Sequence, residues 1–370
     1  MVSLAGQYLS LLIALQERPL GTIEELAKRT GVSKPTTTRW LRQLSGVEGP
    51  KRYFVINPLL DYYNMGLEAT DVLLETPSLE AVLTLEQIAK AHPYTAYRCR
   101  CYGAYNGVLL QFRTPIGSSS RVRELVDLLR HAGLVTRSRF LTTTTEPTVY
   151  TSLRIDGWRA DTLTWEFDWE RWFSMETAED TDPRPHGREP GNVLQWLTER
   201  DLNILYELMR DARRKNVEII RTLQRRGLSI TPQTFSRRLR LIREHCINGY
   251  RVTFNPEAFD IYSNIIIFGR GDRQELAQLR ARLQTEPIPF ESTLRVIEDE
   301  MMWFVRLQAT HLSPLLTNLY SLLTDMQVCI VDYPHSYIYY IWPETLDEER
   351  HEWRTDRAFM VEDVLSQVIG

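Results

Sequence analysis

Val32-Ser33-Lys34-Pro35-Thr36-Thr37-Thr38-Arg39-Trp40-Leu41-Arg42-Gln43-Leu44 and Ile230-Thr231-Pro232-Gln233-Thr234-Phe235-Ser236-Arg237-Arg238-Leu239-Arg240-Leu241-Ile242 are two versions of one segment, 198 residues apart. That offset sets Ser33 against Thr231, Thr36 against Thr234, Arg39 against Arg237, Leu41 against Leu239 and Arg42 against Arg240. The same register carries Asn57-Pro58 onto Asn255-Pro256, beyond the end of the segment. Two unrelated amphipathic helices rarely keep one register through a following strand, so the pattern reads as an internal repeat.

Each version reads as the last helix of a helix-turn-helix. In the first, Leu4, Tyr8, Leu11, Leu12 and Leu15 recur at helical spacing and predict a helix from about Ser3 to Gln16. Thr22, with Glu25 three positions on, is a capping box that opens a second helix. Gly31 suits the left-handed turn that ends it. Ser33 then caps a third helix, with Pro35 in its first turn, where a missing N–H does no harm. A short turn between two helices, the second rich in Thr and Arg, is the helix-turn-helix pattern.

The third helix sorts its residues by face. Thr37, Leu41 and Leu44 are predicted to point inward, as are Phe235, Leu239 and Ile242 in the second version. The outer face then presents Lys34, Thr36, Thr38, Arg39 and Arg42, and in the second version Gln233, Thr234, Ser236, Arg237, Arg238 and Arg240. Hydroxyls and cations suit phosphate oxygens, while Arg and Gln make bidentate contacts to guanine and adenine edges. Double-stranded DNA is therefore the expected partner. Arg210, Arg213, Arg214, Lys215, Arg221, Arg225 and Arg226 lie ahead of the second recognition helix and are expected to add phosphate contacts.

Composition sets the frame. The chain has 370 residues, enough for several modules, with 43% hydrophobic and 25% charged residues. A net charge of −4 excludes a generally basic, DNA-coating protein but not a local basic face. Cys99, Cys101, Cys246 and Cys329 have no zinc-ligand spacing and read as reduced core thiols. The apolar run Leu9 to Leu15 is too short to span a bilayer. No membrane association is expected, and the localisation reads as cytoplasmic.

After each Asn-Pro the pattern is βαββαβ. Strand patterns at Glu68–Leu74, Thr95–Tyr102, Val108–Arg113 and Leu134–Thr142 enclose helical ones at Leu79–Ala91 and Arg121–His131. In the second half, strands at Ile261–Phe268, Phe290–Ile297, Met302–Gln308 and Gln327–Asp332 enclose helices at Arg273–Leu283 and Pro314–Thr324. This split βαββαβ order predicts a ferredoxin-like sandwich. A further strand follows each, at Val149–Ile155 and Tyr337–Trp342. The fold class is thus α+β: a tandem repeat of a winged or plain helix-turn-helix and a ferredoxin-like domain. Expected boundaries are a first helix-turn-helix over 1–58, a sandwich over 59–173, an acidic Pro/Gly linker over 174–193, a second helix-turn-helix over 194–256, a second sandwich over 257–345 and a helical extension over 346–370. Whether that extension caps the second sandwich or docks on a partner chain stays open at the sequence level.

The layout of helix-turn-helix, linking strand ending in Asn-Pro, and βαββαβ resembles the leucine-responsive regulatory protein (AsnC, or feast/famine) family. Leu197-Thr198-Glu199-Arg200-Asp201-Leu202-Asn203-Ile204-Leu205 is similar to that family's opening helix, and Asn248 to Pro256 to its link into the sandwich. The resemblance implies DNA binding by the helix-turn-helix units and pairing of sandwich domains, with homo-oligomers and a small-molecule effector such as an amino acid. The family's Gly-x-x-Asp turn resembles Gly103-Ala104-Tyr105-Asn106, which makes Gly103, Tyr105 and Asn106 the effector candidates, with Asn in place of Asp. The second half has Glu298-Asp299-Glu300 there and no matching glycine. The family's usual chain carries one unit, so this one resembles a fused dimer with two non-equivalent readers.

Two other functions compete. Sirohaem decarboxylases are a branch of the same architecture, and Tyr105-Asn106 and Met302-Trp303-Phe304 stand where those enzymes have related residues. The seven histidines form no pair at metal-ligand or catalytic spacing, however, and no nucleophile triad, phosphate-cradling loop or paired-carboxylate motif emerges. The expectation is a non-enzyme with no catalytic residue, metal or cofactor. The other competitor is a non-specific architectural DNA adaptor.

Overall fold

In a computed structural model, the structure describes residues 6–48, 51–143, 148–176 and 190–369. Most of the expected linker, residues 177–189, lies outside the described residues. The first helical trio is α1 (Leu9–Glu17), α2 (Ile23–Thr30) and α3 (Lys34–Leu44). The local signals act as read: Thr22 and Glu25 form the reciprocal capping box, Gly31 is left-handed at φ 68°, and the Ser33 hydroxyl accepts from the Thr36 N–H. Strand β1 (Phe54–Leu60) leads into β2 (Leu67–Glu75), α4 (Leu79–Ala91), β3 (Thr95–Gly103), β4 (Gly107–Pro115), α5 (Ser119–His131), β5 (Arg137–Thr143) and the short β6 (Val149–Thr151). A small hairpin of β7 (Trp158–Arg159) and β8 (Thr164–Trp165) then precedes α6 (Trp169–Ser174).

The second half repeats this order. Its trio is α7 (Glu199–Arg210), α8 (Asn216–Arg225) and α9 (Pro232–His245), followed by β9 (Ile247–Phe254). Next come β10 (Ser263–Gly271), α10 (Arg273–Thr285), β11 (Glu291–Ile297), β12 (Glu300–Leu307), α11 (Leu312–Leu322) and β13 (Leu323–Ile338). The expected separate strand at Tyr337–Trp342 is instead the far end of β13, which runs on to Ile338. Hairpin strands β14 (Leu346–Asp347) and β15 (Glu352–Trp353) and helix α12 (Asp363–Val368) close the described chain.

The fold is α+β, with strands in the order β5-β2-β4-β3-β13-β10-β12-β11-β6 in one antiparallel sheet of nine. The first four and the next four each have ferredoxin-like order, and β13 joins them by pairing with β3, Cys101 opposite Val331. At the other end β6, which follows β5 in sequence, pairs with β11. The two ends of the sheet are thus consecutive in the chain, which curls the sheet back on itself. Its inner face buries Leu73, Cys99, Cys101, Phe268, Met302 and Cys329. The four cysteines are free and buried, as expected of core thiols.

The helical trios are exchanged between the halves. Leu11, Leu15, Leu26 and Leu41 of the first trio belong to one apolar cluster with Ile265, Leu276 and Trp303 of the second sandwich. Leu202, Leu223, Phe235 and Ile242 of the second trio belong to another, with Val72, Leu85 and Leu125 of the first. The crossing point is the antiparallel pair β1–β9, in which Val55 stands opposite Thr253.

The tails cross over as well. Trp169 stacks on Phe290 and donates its indole N–H to His311 Nδ1 at 3.1 Å, while Trp172 donates to the Glu286 carbonyl at 2.7 Å. The C-terminal tail settles on the first sandwich: Trp353 donates to the Met65 carbonyl at 2.6 Å, and Tyr94 donates to the Arg354 carbonyl at 2.7 Å. The alternative left open by the sequence, capping of the second sandwich, is not what the structure shows.

His92 lies beneath the C-terminal tail's docking face. It is 1% exposed, accepts the Tyr94 N–H at Nδ1, and meets Phe112 edge-on. Burial holds its imidazole at about 3, against an ordinary 6.5. The unfolded chain therefore takes up a proton that the folded chain refuses. Stability is complete above about pH 6.5 and falls as pH drops from there towards 3. Urea unfolding between pH 7 and pH 4 is expected to show a slope steeper by about 1.4 kcal/mol per pH unit in the wild type than in His92→Leu.

Candidate nucleic-acid interface

Helix α3 presents its predicted outer face. Lys34, Arg39 and Arg42 are exposed, and Thr36 and Thr38 are half-buried. Thr37, Leu41 and Leu44 are buried beneath them. Lys34 pairs with Glu24 at 3.0 Å and Arg42 with Glu48 at 2.8 Å. Such exposed pairs are worth about 0–1 kcal/mol, so a phosphate oxygen can displace the carboxylate. Thr36 and Thr38 are turned to their own helix: Thr36 Oγ1 lies 2.9 Å from the Ser33 hydroxyl, and Thr38 donates to the Lys34 carbonyl at 2.9 Å.

Helix α9 does the same with Gln233, Ser236, Arg237 and Arg240 exposed and Thr234 half-buried. Phe235, Leu239 and Ile242 are buried. Arg238 departs from the expected set. Its guanidinium donates to Asp201 Oδ1 at 2.6 Å and to the Trp196 carbonyl at 2.8 Å, and it lies 5.3 Å from the Trp196 ring centre. Asp201 is fully buried, so this arginine is committed to neutralising it and faces the trio's own interior. At the same place on α3, Trp40 instead meets Tyr8 edge-on at 5.4 Å.

Four of the seven basic residues before α9 are tied to partners within the protein. Glu207 is fully buried, and three arginines converge on it: Arg226 at 2.8 Å, Arg210 at 3.8 Å, and Arg214 in direct contact. Arg213 points into the first trio, donating to the carbonyls of Pro19 and Gly21 at 2.9 and 2.8 Å. Lys215, Arg221 and Arg225 are exposed, as are Arg210 and Arg226 despite their ties to Glu207. Sequence spacing alone missed the buried carboxylates because an acid inside a basic run looks like any surface charge.

The effector candidates form a packed turn. The Gly103 N–H donates to Asn106 Oδ1 at 3.2 Å, and Gly103 has φ +118°, with a Cβ there falling 2.8 Å from the Val328 carbonyl oxygen. Tyr105 is buried, with Arg137 over its ring at 4.1 Å and Phe268 at 5.7 Å. The three residues are brought together, as a wedge at the joint between the half-sheets.

One polar cluster escaped sequence reading. Asp71 of β2 and Arg295 of β11, both essentially unexposed, pair at 2.6 Å across the two halves. Gln111 donates to the same Asp71 oxygen at 2.8 Å, and Arg113 stands 3.6 Å from the other. The available signal was a charge alternating with apolar residues within a strand, Asp71 two places before Leu73 and Arg295 between Leu294 and Val296. Asp71, Arg139, Phe268 and Met302 also border a cavity in the sheet interior.

Residues 8–47 match the IclR helix-turn-helix domain. No curated protein matches the sequence. Among solved structures, siroheme decarboxylase NirDL aligns over 99% of this chain and 100% of its own, at 12% identity and a TM-score of 0.49. A transcriptional regulator from Neisseria meningitidis, in complex with L-Met, aligns over 42% of this chain and 98% of its own, at 23% identity and a TM-score of 0.33. An AsnC family transcriptional regulator from Agrobacterium tumefaciens does so over 41% and 98%, at 18% identity and a TM-score of 0.33. The helix-turn-helix match makes the chain's first trio a DNA-binding module of the kind found in regulators. The expectation that the chain is not an enzyme is corrected. Two structures that align along nearly its whole length are those of an enzyme, so an exclusion of enzymatic activity does not stand, although likeness at this level assigns no reaction. Among the described residues no helix is long and apolar enough to cross a membrane.

Two variant sets test these assignments. Arg238→Ala strands the buried Asp201 and is expected to lower the unfolding free energy by about 3 kcal/mol, against less than about 0.5 kcal/mol for Arg237→Ala. Asp71→Leu and Arg295→Met are each expected to cost about 3–5 kcal/mol singly, and the double variant less than the sum of the two, because it removes both members of the pair at once while still leaving Arg113 without Asp71. Urea unfolding reads both sets.

Proposed function

We propose that this chain is a DNA-binding transcription regulator in which two non-equivalent helix-turn-helix readers are held as a fused pseudo-dimer. The observation that carries the reading is the β1–β9 register. Val55 lies directly opposite Thr253, and these residues are 198 apart, the same offset that aligns the two recognition segments in sequence. A residue that pairs with its own repeat equivalent lies on a two-fold axis. The axis therefore runs through the middle of the β1–β9 ribbon and relates α3 to α9. Two readers related in this way suit half-sites about one helical turn, or a multiple of it, apart.

The readers differ where bases would be met. Helix α3 offers Lys34, Arg39 and Arg42, and α9 offers Gln233, Arg237 and Arg240, each on an exposed face. Gln has the donor–acceptor pair that matches adenine, while Lys at the equivalent end favours guanine or phosphate. The preferred DNA is accordingly a bipartite, asymmetric site and not a perfect palindrome. A net charge of −4 weighs against indiscriminate coating of DNA.

Unbiased selection of bound double-stranded DNA by the full chain, at two salt concentrations, tests this. The expected result is one asymmetric bipartite sequence whose affinity falls steeply with salt. Arg39→Ala is expected to relax one half-site and Arg237→Ala the other, each at about 1–3 kcal/mol. Equal affinity for selected and random DNA at matched salt would sink the proposal.

A further inference from the structure

We propose that Arg213 is a one-way clamp that fixes the spacing of the two DNA-reading helices, an inference that rests on the two-reader function above. The loops joining the first two helices of each trio, residues 18–22 and 211–215, are each five residues long. They occupy equivalent places and meet each other near the β1–β9 ribbon. From the second loop, Arg213 Nη1 donates to two carbonyls of the first, those of Pro19 and Gly21, at 2.9 and 2.8 Å. The loop is fastened on either side. Its Ala212 N–H donates to the Ile56 carbonyl at 2.8 Å, and Asn57 donates to the Met209 carbonyl at 2.7 Å. Asp211 pairs with Arg52 at 2.7 Å and also accepts the Arg213 N–H at 3.0 Å, which aims the arginine.

Packing points the same way. Most of the second trio's core lies in one apolar cluster, but Ala212 lies in the other, with Leu11, Leu15 and Leu26 of the first trio. The 211–215 loop is therefore inserted into the opposite reader. Among the described residues, no other hydrogen bond joins this loop to the helices of the first trio or the loop between α1 and α2. The ribbon fixes the strands at the base, and Arg213 restrains each trio from rocking on its strand.

The clamp needs a fused chain. Counted along the two loops, which are offset by 193 residues and not by the 198 of the recognition helices, the residue in the place of Arg213 is Leu20, the third of its five. In a homodimer both loops would carry Arg, and two guanidinium groups would face each other across the axis and repel. Sequence divergence after fusion lets one loop supply the donors and the other only carbonyl oxygens.

The test uses the full chain and bipartite DNA from the selection, with the spacer between half-sites lengthened or shortened by one and two base pairs. Wild type is expected to lose about tenfold or more in affinity off the preferred spacing, and Arg213→Ala about threefold or less, with each half-site's base preference kept. A DNA-free readout accompanies it: the distance distribution between spin labels at Lys28→Cys on α2 and Arg221→Cys on α8, both exposed. It is expected to be narrow in wild type and broad in Arg213→Ala. Arg213→Lys, which keeps the charge but not the fork of N–H groups, is expected to fall between them. It serves as the probe if Arg213→Ala does not fold. Unchanged distance widths in both variants, or an unchanged spacing profile, overturns the clamp. Broadened distances with no specific DNA selected would uphold the clamp and overturn the DNA-reading function instead.

Discussion

The antiparallel pairing of β1 with β9 is the constraint on which the remaining architecture depends. It brings Val55 opposite Thr253 and so sends each helical trio over the sandwich of the opposite half. Each large core is then built from both halves of the chain, one from the first trio and second sandwich and the other from the reverse. Each half leaves part of its apolar surface to be covered by the other, so separation of the halves would expose part of both cores at once. Carrying both halves in one chain avoids the entropic cost that two separate subunits would meet in coming together.

The tails reinforce the same exchange. The segment after the first sandwich carries Trp165, Trp169 and Trp172 onto the second, and the segment after the second carries Trp353 onto the first. Each indole named here donates to a group on the sandwich it covers. A buried indole N–H left unpaired costs about 1–3 kcal/mol, so these bonds select the docking position as well as stabilising it. Inside the sheet, the Asp71–Arg295 pair does the equivalent across the two halves.

Buried carboxylates decide which arginines remain for a partner. Asp201 takes Arg238, and Glu207 takes Arg210, Arg214 and Arg226. Burying a carboxylate without a counter-charge costs several kcal/mol, so these arginines are held by a stronger demand than an exposed phosphate makes. Lys34, Arg39 and Arg42 on one helix and Arg237 and Arg240 on the other stay outside, whereas Arg238, which the amphipathic pattern had also assigned to the outer face, does not.

The sequence by itself determined what is local or periodic. Thr22 with Glu25, Gly31 and Ser33 bounded the helices because capping acts within a single turn, and the inward residues Leu41, Leu239 and Ile242 followed from a 3.6-residue period. The βαββαβ order followed from strand and helix periods in the same way, and the 198-residue offset from direct comparison. Tertiary structure alone decided the rest: the inward turn of Arg238, the exchange of trios and tails, the continuation of β13 to Ile338, the Asp71–Arg295 pair and the reach of Arg213 into the other loop. Each depends on which distant residue is a neighbour. A one-dimensional pattern gives the face on which a charge lies, but only the packed chain sets a buried carboxylate or an open carbonyl before it.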